Sequence, residues 1–325
     1  MLSHESQQQN FHSSLFDICV PAGHVYRRIL KHLDMPRLRT YIASTYSTVG
    51  TTGYAVESAI KMLVLQFVED ISDREMERAL RENMAFRFFC GFTPDAQTPD
   101  FTYFTKLRKR IGTKGIAELF NTFTAMMKEK GYIGETFTFI DASAVISKTN
   151  LWKERDAAIA AGETTLNNQN VHNHASDTDA SFGAKSKKKK WFGYKRHVAV
   201  DMKQGLITKV VVTTANVSDN DPDIVASICP NQGMVFADKM YDTADVARVL
   251  RRKGCANGVI LKNNRKEKNR ALDRWRSGIR MPFENIFSKM RKFARYRGRV
   301  KMLFQGFAES LAFNLKRVAQ LCPLG

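Results

Sequence analysis

Two regions of the chain differ in the period of their hydrophobic residues. Up to about residue 130, apolar positions recur at helical spacing, most strongly over 55–68. Ser72 and Glu75 form a capping box that starts the next helix, and a turn at 98–100 precedes a basic helix. The pattern therefore predicts an all-α N-terminal domain over 1–130, which either docks on DNA or only packs and dimerises.

Beyond residue 134 the pattern becomes typical of an α/β domain that extends to about residue 320. Strands are predicted at 136–140, 194–200, 207–213, 234–237 and 258–261, with helices at 219–228, 244–252 and after the last strand. The first three strands form a meander, so the expected fold is a mixed sheet flanked by helices. Residues from about 146 to 190 are polar, basic and weakly periodic, which predicts a long loop.

The net charge of the chain indicates what kind of partner it binds. Lys and Arg number 51 against 32 Asp and Glu, so the 325-residue chain has a formal net charge of +19. An excess of this size is typical of a protein that binds nucleic acid. An anionic membrane surface ranks second, because no amphipathic anchor accompanies the charge. A merely soluble basic protein is the plain alternative.

The excess charge is concentrated in two segments. Residues 251–299 contain 17 basic and 3 acidic residues, and 185–196 contain seven basic residues and no acid. The second segment includes a lysine run followed by an aromatic residue: Lys187, Lys188, Lys189, Lys190 and Trp191. This mixture suits phosphate contact and base stacking, although a lysine run alone is often only a solvated loop.

Composition excludes several classes of protein. A hydrophobic content of 43% excludes wholesale disorder, and no apolar run approaches the ~18 residues of a membrane span. The N-terminal residues are polar and lack a signal pattern. The five cysteines include no CxxC, which argues against a disulfide framework or a structural zinc site. We therefore expect a cytoplasmic protein with no membrane partner.

Two aspartates follow predicted strands directly. Asp141 comes after the first strand and Asp238 after the fourth, where functional groups of open α/β sheets gather. If these strands are neighbours, the two carboxylates converge. A third acid would complete a site for Mg²⁺ or Mn²⁺, which prefer oxygen ligands. Glu284 is favoured, because it opens an amphipathic helix whose apolar stripe would hold it at the edge of the sheet.

Each of these acids has a structural alternative. An aspartate after a strand can simply cap the next turn, and Glu284 lies near N3 if Pro282 is the first helical residue. Asp201 is interpreted as a strand end and Asp219 as a helix N-cap. His197 is expected to pack or to touch DNA. A second group of polar residues in the loop is interpreted as solvated rather than metal-binding: His172, His174, Asp177 and Asp179.

Short motifs along most of the chain are individually weak but specific in their number and order. The helical part carries them at 71–75, 84–89 and 98–100, and the α/β part at 140–143, 193–197 and 237–242. Near the end, Arg280 lies four residues before Glu284, followed by motifs at 297–298 and 312–317. In these residues the chain resembles bacterial insertion-sequence transposases of the DDE type, in the broad insertion-sequence four/five superfamily.

The resemblance implies an RNase H-like catalytic domain whose triad of Asp141, Asp238 and Glu284 binds the metal ions. It also implies a Tyr, Arg, Glu, Lys signature around the glutamate. Arg280 matches the arginine, Ser277 replaces the tyrosine, and Arg291 with Lys292 beside it replaces the lysine. The Ser277 departure removes an expected stacking contact with a flipped base, whereas Arg291 keeps a phosphate-binding charge.

The combined hypothesis is a DNA transposase that uses Mg²⁺, for which Mn²⁺ substitutes, to hydrolyse phosphodiester bonds and join 3′-hydroxyls to target DNA. Its expected partners are the double-stranded transposon ends, the target DNA and a second copy of the chain, in the bacterial nucleoid. Beyond the signature residues, DNA contacts are predicted at Lys187, Lys188, Lys189, Lys190, Trp191, Lys195, Lys239, Tyr241, Arg108 and Arg110. The alternatives are a catalytically inactive relic that represses, and a nucleic-acid packaging protein.

Overall fold

The chain divides into two compact units. The structure is a computed structural model that describes residues 11–46, 53–147, 152–185, 190–266 and 268–321. One unit comprises Met1–Met126 and Ala308–Gly325, and the other comprises Met127–Phe307. The boundaries fall within two long helices rather than in a linker, so the predicted domains 1–130 and 134–320 stay a prediction about functional domains.

The first unit is helical, as the apolar spacing predicts. Its helices are α1 (Phe11–Cys19), α2 (Val25–Leu30), α3 (Met35–Ala43), α4 (Val56–Val68), α5 (Asp73–Glu82), α6 (Met84–Cys90) and α7 (Phe101–Glu129), the last running into the second unit. The capping box of α5 is confirmed, since Ser72 and Glu75 each bond the other's backbone N–H. α4 is buried on nearly all sides, because nine of its thirteen residues are apolar and Ser58, Lys61 and Gln66 are buried with them.

An arginine–carboxylate pair joins α7 to the start of α5 in this unit. Arg108 Nη1 donates to Asp73 Oδ1 at 2.7 Å, and Nη2 donates to Oδ2 at 2.6 Å. Gln66 Nε2 also donates to Asp73 Oδ1 at 2.7 Å. Burial alone would raise the pKa of Asp73, but these hydrogen bonds outweigh it and lower the pKa below its usual value.

The second unit is built on one six-stranded sheet. Its strands are β1 (Phe137–Ile146), β2 (Ser181–Ala184), β3 (Lys190–Asp201), β4 (Leu206–Thr214), β5 (Met234–Phe236) and β6 (Ala256–Asn257). β3 pairs antiparallel with β1, β2 and β4, whereas β1–β5 and β5–β6 are parallel. The predicted meander of β1, β3 and β4 and the adjacency of β1 and β5 are therefore confirmed.

Helices flank this sheet and complete its core. They are α8 (Trp152–Ala160), α9 (Val171–His174), α10 (Pro222–Ile228), α11 (Ala244–Arg252), α12 (Arg270–Ser288) and the first part of α13 (Arg299–Leu321), with a short 3₁₀ helix at Lys239–Tyr241. One apolar cluster joins β1 and β5 to α10 and α11. The predicted class, a mixed α/β sheet flanked by helices and preceded by an all-α segment, is confirmed.

Several predicted boundaries were wrong. The first strand does not end at Ile140 but continues to Ile146. The fifth predicted strand lies at Ala256–Asn257 rather than 258–261. The segment from 146 to 190 is not a simple loop, because it carries α8, α9 and β2. These elements have four to nine residues each, which is too short for a clear hydrophobic period.

The chain following α12 is tied to the end of β1. Ile146 N donates to Lys292 O at 2.8 Å, and Ala294 N donates to Ile146 O at 2.9 Å. These two bonds form a parallel bridge between Ile146 and Phe293. The strand that carries Asp141 is thereby fastened to the segment that follows the helix of Glu284.

Among the helices that the structure describes, none is both long and apolar enough to cross a membrane.

Candidate active site

Asp141 and Asp238 are brought level by the parallel pairing of β1 and β5. Paired residues of these strands are 97 positions apart, as in Phe139 with Phe236, and the two aspartates have the same separation. β5 ends at Phe236, so β1 runs on past it toward Asp141 while the chain turns at Asp238. The predicted convergence of the two carboxylates therefore follows from the register.

Asp141 is held in an environment that disfavours its charge. Burial, together with the charges of Asp238 and Asp219, raises the pKa of Asp141 to about 6. A hydrogen bond of 2.8 Å from Ala142 N and the positive charge of Arg280 act in the opposite direction. Because the two carboxylates repel each other in a partly buried site, a positive charge bound between them would be stabilising.

Asp238 starts the 3₁₀ helix that follows β5. Its Oδ1 accepts a hydrogen bond from Met240 N at 2.8 Å, which fixes the carboxylate at the first turn of that helix. The cap that the sequence offered as a structural alternative is therefore present. It does not exclude a second role, because a carboxylate oxygen has more than one lone pair.

Asp219 is a third acid near this pair, and its interpretation as a helix N-cap was wrong. Asp221 caps α10, accepting from Asp223 N at 3.0 Å and Ile224 N at 3.2 Å. Asp219 instead pairs with Lys195 Nζ at 2.8 Å. The sequence held a signal for this, since only one of the two acids before Pro222 is needed as the cap.

The loop that carries Asp219 is fixed from two sides. Lys195, on β3, donates from Nζ to Val217 O at 2.7 Å. Asn220 Nδ2 donates to Met240 O at 3.0 Å, which connects the loop to the turn that begins at Asp238. The loop is thus part of the framework around the two aspartates.

Glu284 and Arg280 lie on consecutive turns of α12. The prediction that Glu284 opens this helix was wrong, and so is the alternative with Pro282 as its first residue, because α12 runs from Arg270 to Ser288 with both residues inside it. Arg280 Nη2 donates to Glu284 Oε1 at 2.9 Å. The Arg280 guanidinium also lies over the ring of Phe139, a β1 residue, 5.6 Å from its centroid.

Glu284, the third predicted carboxylate, is thus paired with Arg280. In the part of the chain that the structure describes, no three His, Cys, Asp or Glu side chains are grouped closely enough to hold a metal ion. The donor chemistry of Asp141 and Asp238 nevertheless fits a hard divalent cation, because both are carboxylates and their repulsion is relieved by positive charge. Glu284 would have to leave Arg280 to join them.

The predicted DNA-contacting residues of the second unit fall into two groups. Lys190, Lys239 and Lys292 are exposed and accessible to a polyanion, and Arg291 is partly exposed. Lys195 is engaged with Asp219, and Trp191 Nε1 donates to Tyr194 O at 3.3 Å. Lys187, Lys188 and Lys189 lie outside the described residues.

The side chains of Tyr241 and His197 are buried and pack in the protein interior. Tyr241 is 1% exposed and packs in the apolar cluster beneath the aspartates, so its side chain is not accessible to DNA here. His197 Nε2 lies 2.8 Å from Thr213 Oγ1, and burial lowers the pKa of His197 to about 4. This confirms packing as the role of His197 and leaves it neutral at physiological pH.

The two basic residues predicted in the helical unit have intramolecular contacts. Arg108 is paired with Asp73, as described above. The guanidinium of Arg110 lies 4.4 Å from the centroid of the Tyr46 ring, while the side chain stays exposed. Whether they also contact DNA stays a prediction.

Asp141 and Asp238 lie just past the end of the parallel β1–β5 pairing, and such a place is where the functional groups of open α/β sheets gather. Two family models match the chain: a transposase domain (DUF772) over residues 14–110 and a transposase DDE domain over residues 155–306. The chain belongs to the insertion-sequence transposases of the DDE type, as its motifs indicated.

A solved structure similar to the chain is a cryo-EM structure of the piggyBac transposase synaptic complex with hairpin DNA. The TM-score is 0.31 and the identity 11%, over 81% of this chain and 54% of that chain. The present chain therefore spans about half the length of that transposase chain.

Proposed function

We propose that the protein is an active transposase that binds the inverted ends of its own element, cuts them and joins them to target DNA. The observation that carries the proposal is the convergence of Asp141 and Asp238 in a chain that matches the transposase DDE domain. The net charge of +19 supports DNA as the substrate.

The carboxylates of Asp141, Asp238 and Glu284 would hold Mg²⁺ or Mn²⁺. When bound, such ions activate a water or a 3′-hydroxyl and stabilise the leaving oxygen of a phosphodiester. The protein's own contribution is geometric: the β1–β5 register sets the spacing of the two aspartates, and Ala142 N and Met240 N orient them. Glu284 would complete the donor set from α12.

Basic residues around the site would hold the scissile strand. The charge of Arg280 acts on Asp141, and Arg291 and Lys292 follow on the segment that is bridged to β1. Lys190 and Lys239 are exposed on the same unit. Two ends must be processed together, so we propose that a homodimer assembles on DNA in the nucleoid.

The test is cleavage of a labelled duplex that carries the element's terminal repeat, with Mg²⁺ and with EDTA. We expect metal-dependent cutting at the repeat boundary, loss of cutting in Asp141→Asn and Glu284→Gln, and retained DNA binding in both variants. Asp245→Asn, an exposed carboxylate of α11 paired with Arg248, is the matched control and should cut normally. Specific binding without cutting by the paired-end complex would instead support the inactive, repressing relic.

A further inference from the structure

The Arg280–Glu284 pair is asymmetric in its exposure. The arginine side chain is 13% exposed and the glutamate 51% exposed, although they lie one helical turn apart. Arg280 is inserted toward Phe139 on β1, and Glu284 reaches back to it from the solvent side. Only the glutamate of this pair lies at the surface, because the arginine is held against the strand that carries Asp141.

The Arg280 guanidinium has hydrogen-bonding capacity that the protein does not use. Within the described chain, its Nε and Nη1 atoms are buried and have no hydrogen-bond partner. Leaving buried donors unpaired is costly, so their persistence needs an explanation. A phosphate provides the oxygen acceptors that such an arginine best binds.

Glu284 and a phosphate compete for the same atom. A guanidinium binds an oxyanion bidentately through its end, Nη1 with Nη2, or through its side, Nε with Nη2. Both edges include Nη2, and this is the atom that donates to Glu284 Oε1. Each hydrogen of Nη2 points to one of the two edges, so a phosphate at either edge lies next to the Glu284 carboxylate on the same nitrogen. The two anions repel each other, and a bidentate phosphate contact is therefore favoured when Glu284 leaves Arg280.

We infer that Arg280 couples DNA binding to completion of the carboxylate site by exchanging Glu284 for a DNA phosphate. Without DNA, Arg280 retains Glu284 and supplies the positive charge beside Asp141. When a phosphate takes Nη2, Glu284 loses its partner and is free to join Asp141 and Asp238. The inference rests on the proposed function. If the protein cuts DNA, the exchange ensures that the three metal-binding carboxylates come together only when DNA is bound.

The first test measures DNA affinity in EDTA, so that no metal contributes. The probe is a fluorescein-labelled duplex of arbitrary sequence, and the readout is fluorescence anisotropy. Glu284→Gln should tighten binding by about threefold, because it frees Arg280 from a pair of surface ion-pair strength. In an Arg280→Gln background the same change should have no effect. Equal tightening in both backgrounds would mean only a loss of general repulsion and would overturn the inference, as would no tightening in the wild type.

The second test measures Mn²⁺ binding without DNA by electron paramagnetic resonance. In the wild type, Glu284→Gln should leave the affinity unchanged, because Glu284 is retained by Arg280. In Arg280→Gln, the added Glu284→Gln should weaken Mn²⁺ binding by about fivefold, the loss of one carboxylate ligand. If Glu284→Gln weakens Mn²⁺ binding as much in the wild type as in Arg280→Gln, the coupling is contradicted.

Arg274→Gln is the matched control, since Arg274 is an exposed arginine of the same helix. It removes the same charge and should leave both Glu284 effects as in the wild type. If Arg280→Gln does not fold, Asp245→Asn, an exposed carboxylate paired with Arg248, serves as the control for general repulsion. Tightening of DNA binding by Glu284→Gln but not by Asp245→Asn supports the inference, and equal tightening by both overturns it. Neither measurement involves DNA cleavage, so the two proposals can fail separately. If Arg280 and Glu284 are coupled but the protein does not cut DNA, only the proposed function is overturned. If the protein cuts DNA but the two residues are not coupled, only this inference is overturned.

Discussion

The Arg108–Asp73 pair of the helical unit and the Arg280–Glu284 pair of the α/β unit differ in how completely their hydrogen-bonding groups are satisfied. In the helical unit, Arg108 binds both oxygens of Asp73, and Gln66 adds a further bond. In the α/β unit, Arg280 makes a single bond to Glu284 and leaves two buried nitrogen atoms without a described partner.

The difference separates a pair that stabilises the fold from one that is prepared for a ligand. The hydrogen bonds at Asp73 lower its pKa, as expected for a carboxylate whose charge the fold favours. At Asp141, beside Arg280, burial and neighbouring acids raise the pKa to about 6, so the fold opposes the charge. Opposed charges and unsatisfied donors cluster at functional sites, where a ligand provides the missing partner.

The largest effect on stability is expected at Arg108. Arg108→Gln should lower the free energy of unfolding by about 2–3 kcal/mol, because it leaves the Asp73 charge, only 25% exposed, without its bidentate partner. Lys109→Gln, an exposed neighbour, should change it by less than about 0.5 kcal/mol. Urea denaturation measures both. Equal losses in the two variants would show that the Arg108 pair does not stabilise the fold.

A substitution at Asp141 is expected to raise the free energy of unfolding, the opposite of the effect at Arg108. Its pKa is raised on folding, so its charged form costs stability as pH rises from about 4 to 6, and the cost persists above that range. Asp141→Asn should therefore stabilise the protein by about 2 kcal/mol at pH 8 and by nothing near pH 4. Thermal melting across this range gives the profile. Destabilisation at pH 8 would mean that Asp141 is a structural carboxylate like Asp73.

A smaller, pH-dependent effect is expected at Asp73. Because its folded pKa is lowered, its contribution is complete above the unfolded pKa and is lost as pH falls through the folded pKa. In Arg108→Gln the acid loss of stability should begin at a higher pH than in the wild type. Urea titrations from pH 6 to pH 2.5 test this, and superimposable profiles would assign the lowered pKa to Gln66 instead.

The smallest effect on stability is expected at Arg280. Arg280→Gln should leave the free energy of unfolding within about 0.5 kcal/mol of the wild type, since losing one half-exposed ion pair is offset by removing unsatisfied buried donors. The same urea assay applies. A loss as large as that of Arg108→Gln would remove the distinction between the two pairs.

The sequence was most informative where one local rule decided the outcome. The capping box predicted the start of α5, and the position of Asp141 and Asp238 directly after two predicted strands indicated their convergence once those strands are neighbours. The context of Glu284 was missed because proline is the best signal for a helix start, yet Pro282 lies inside α12. The burial of Ile286 and the contact of Phe287 with Phe139 on β1 override that signal.

Asp219 and the segment from 146 to 190 show two other limits. The place of Asp219 depends on Lys195, which lies 24 positions earlier on β3 and which no local pattern connects to the Asp219 loop. In the 146–190 segment, β2 forms only because β3 provides the other half of its ladder. Such elements are defined by pairing with distant residues, and single-sequence periodicity does not contain that information.

The bridge between Ile146 and Phe293 has an evolutionary consequence. Because two hydrogen bonds fasten the end of β1 to the segment after α12, the spacing of Asp141 and Glu284 does not depend on the length of chain between α8 and α9. That connection is exposed at Thr164 and Thr165. Relatives can therefore gain or lose whole insertions there, and a circular permutant with new termini between these threonines should keep its carboxylates in place.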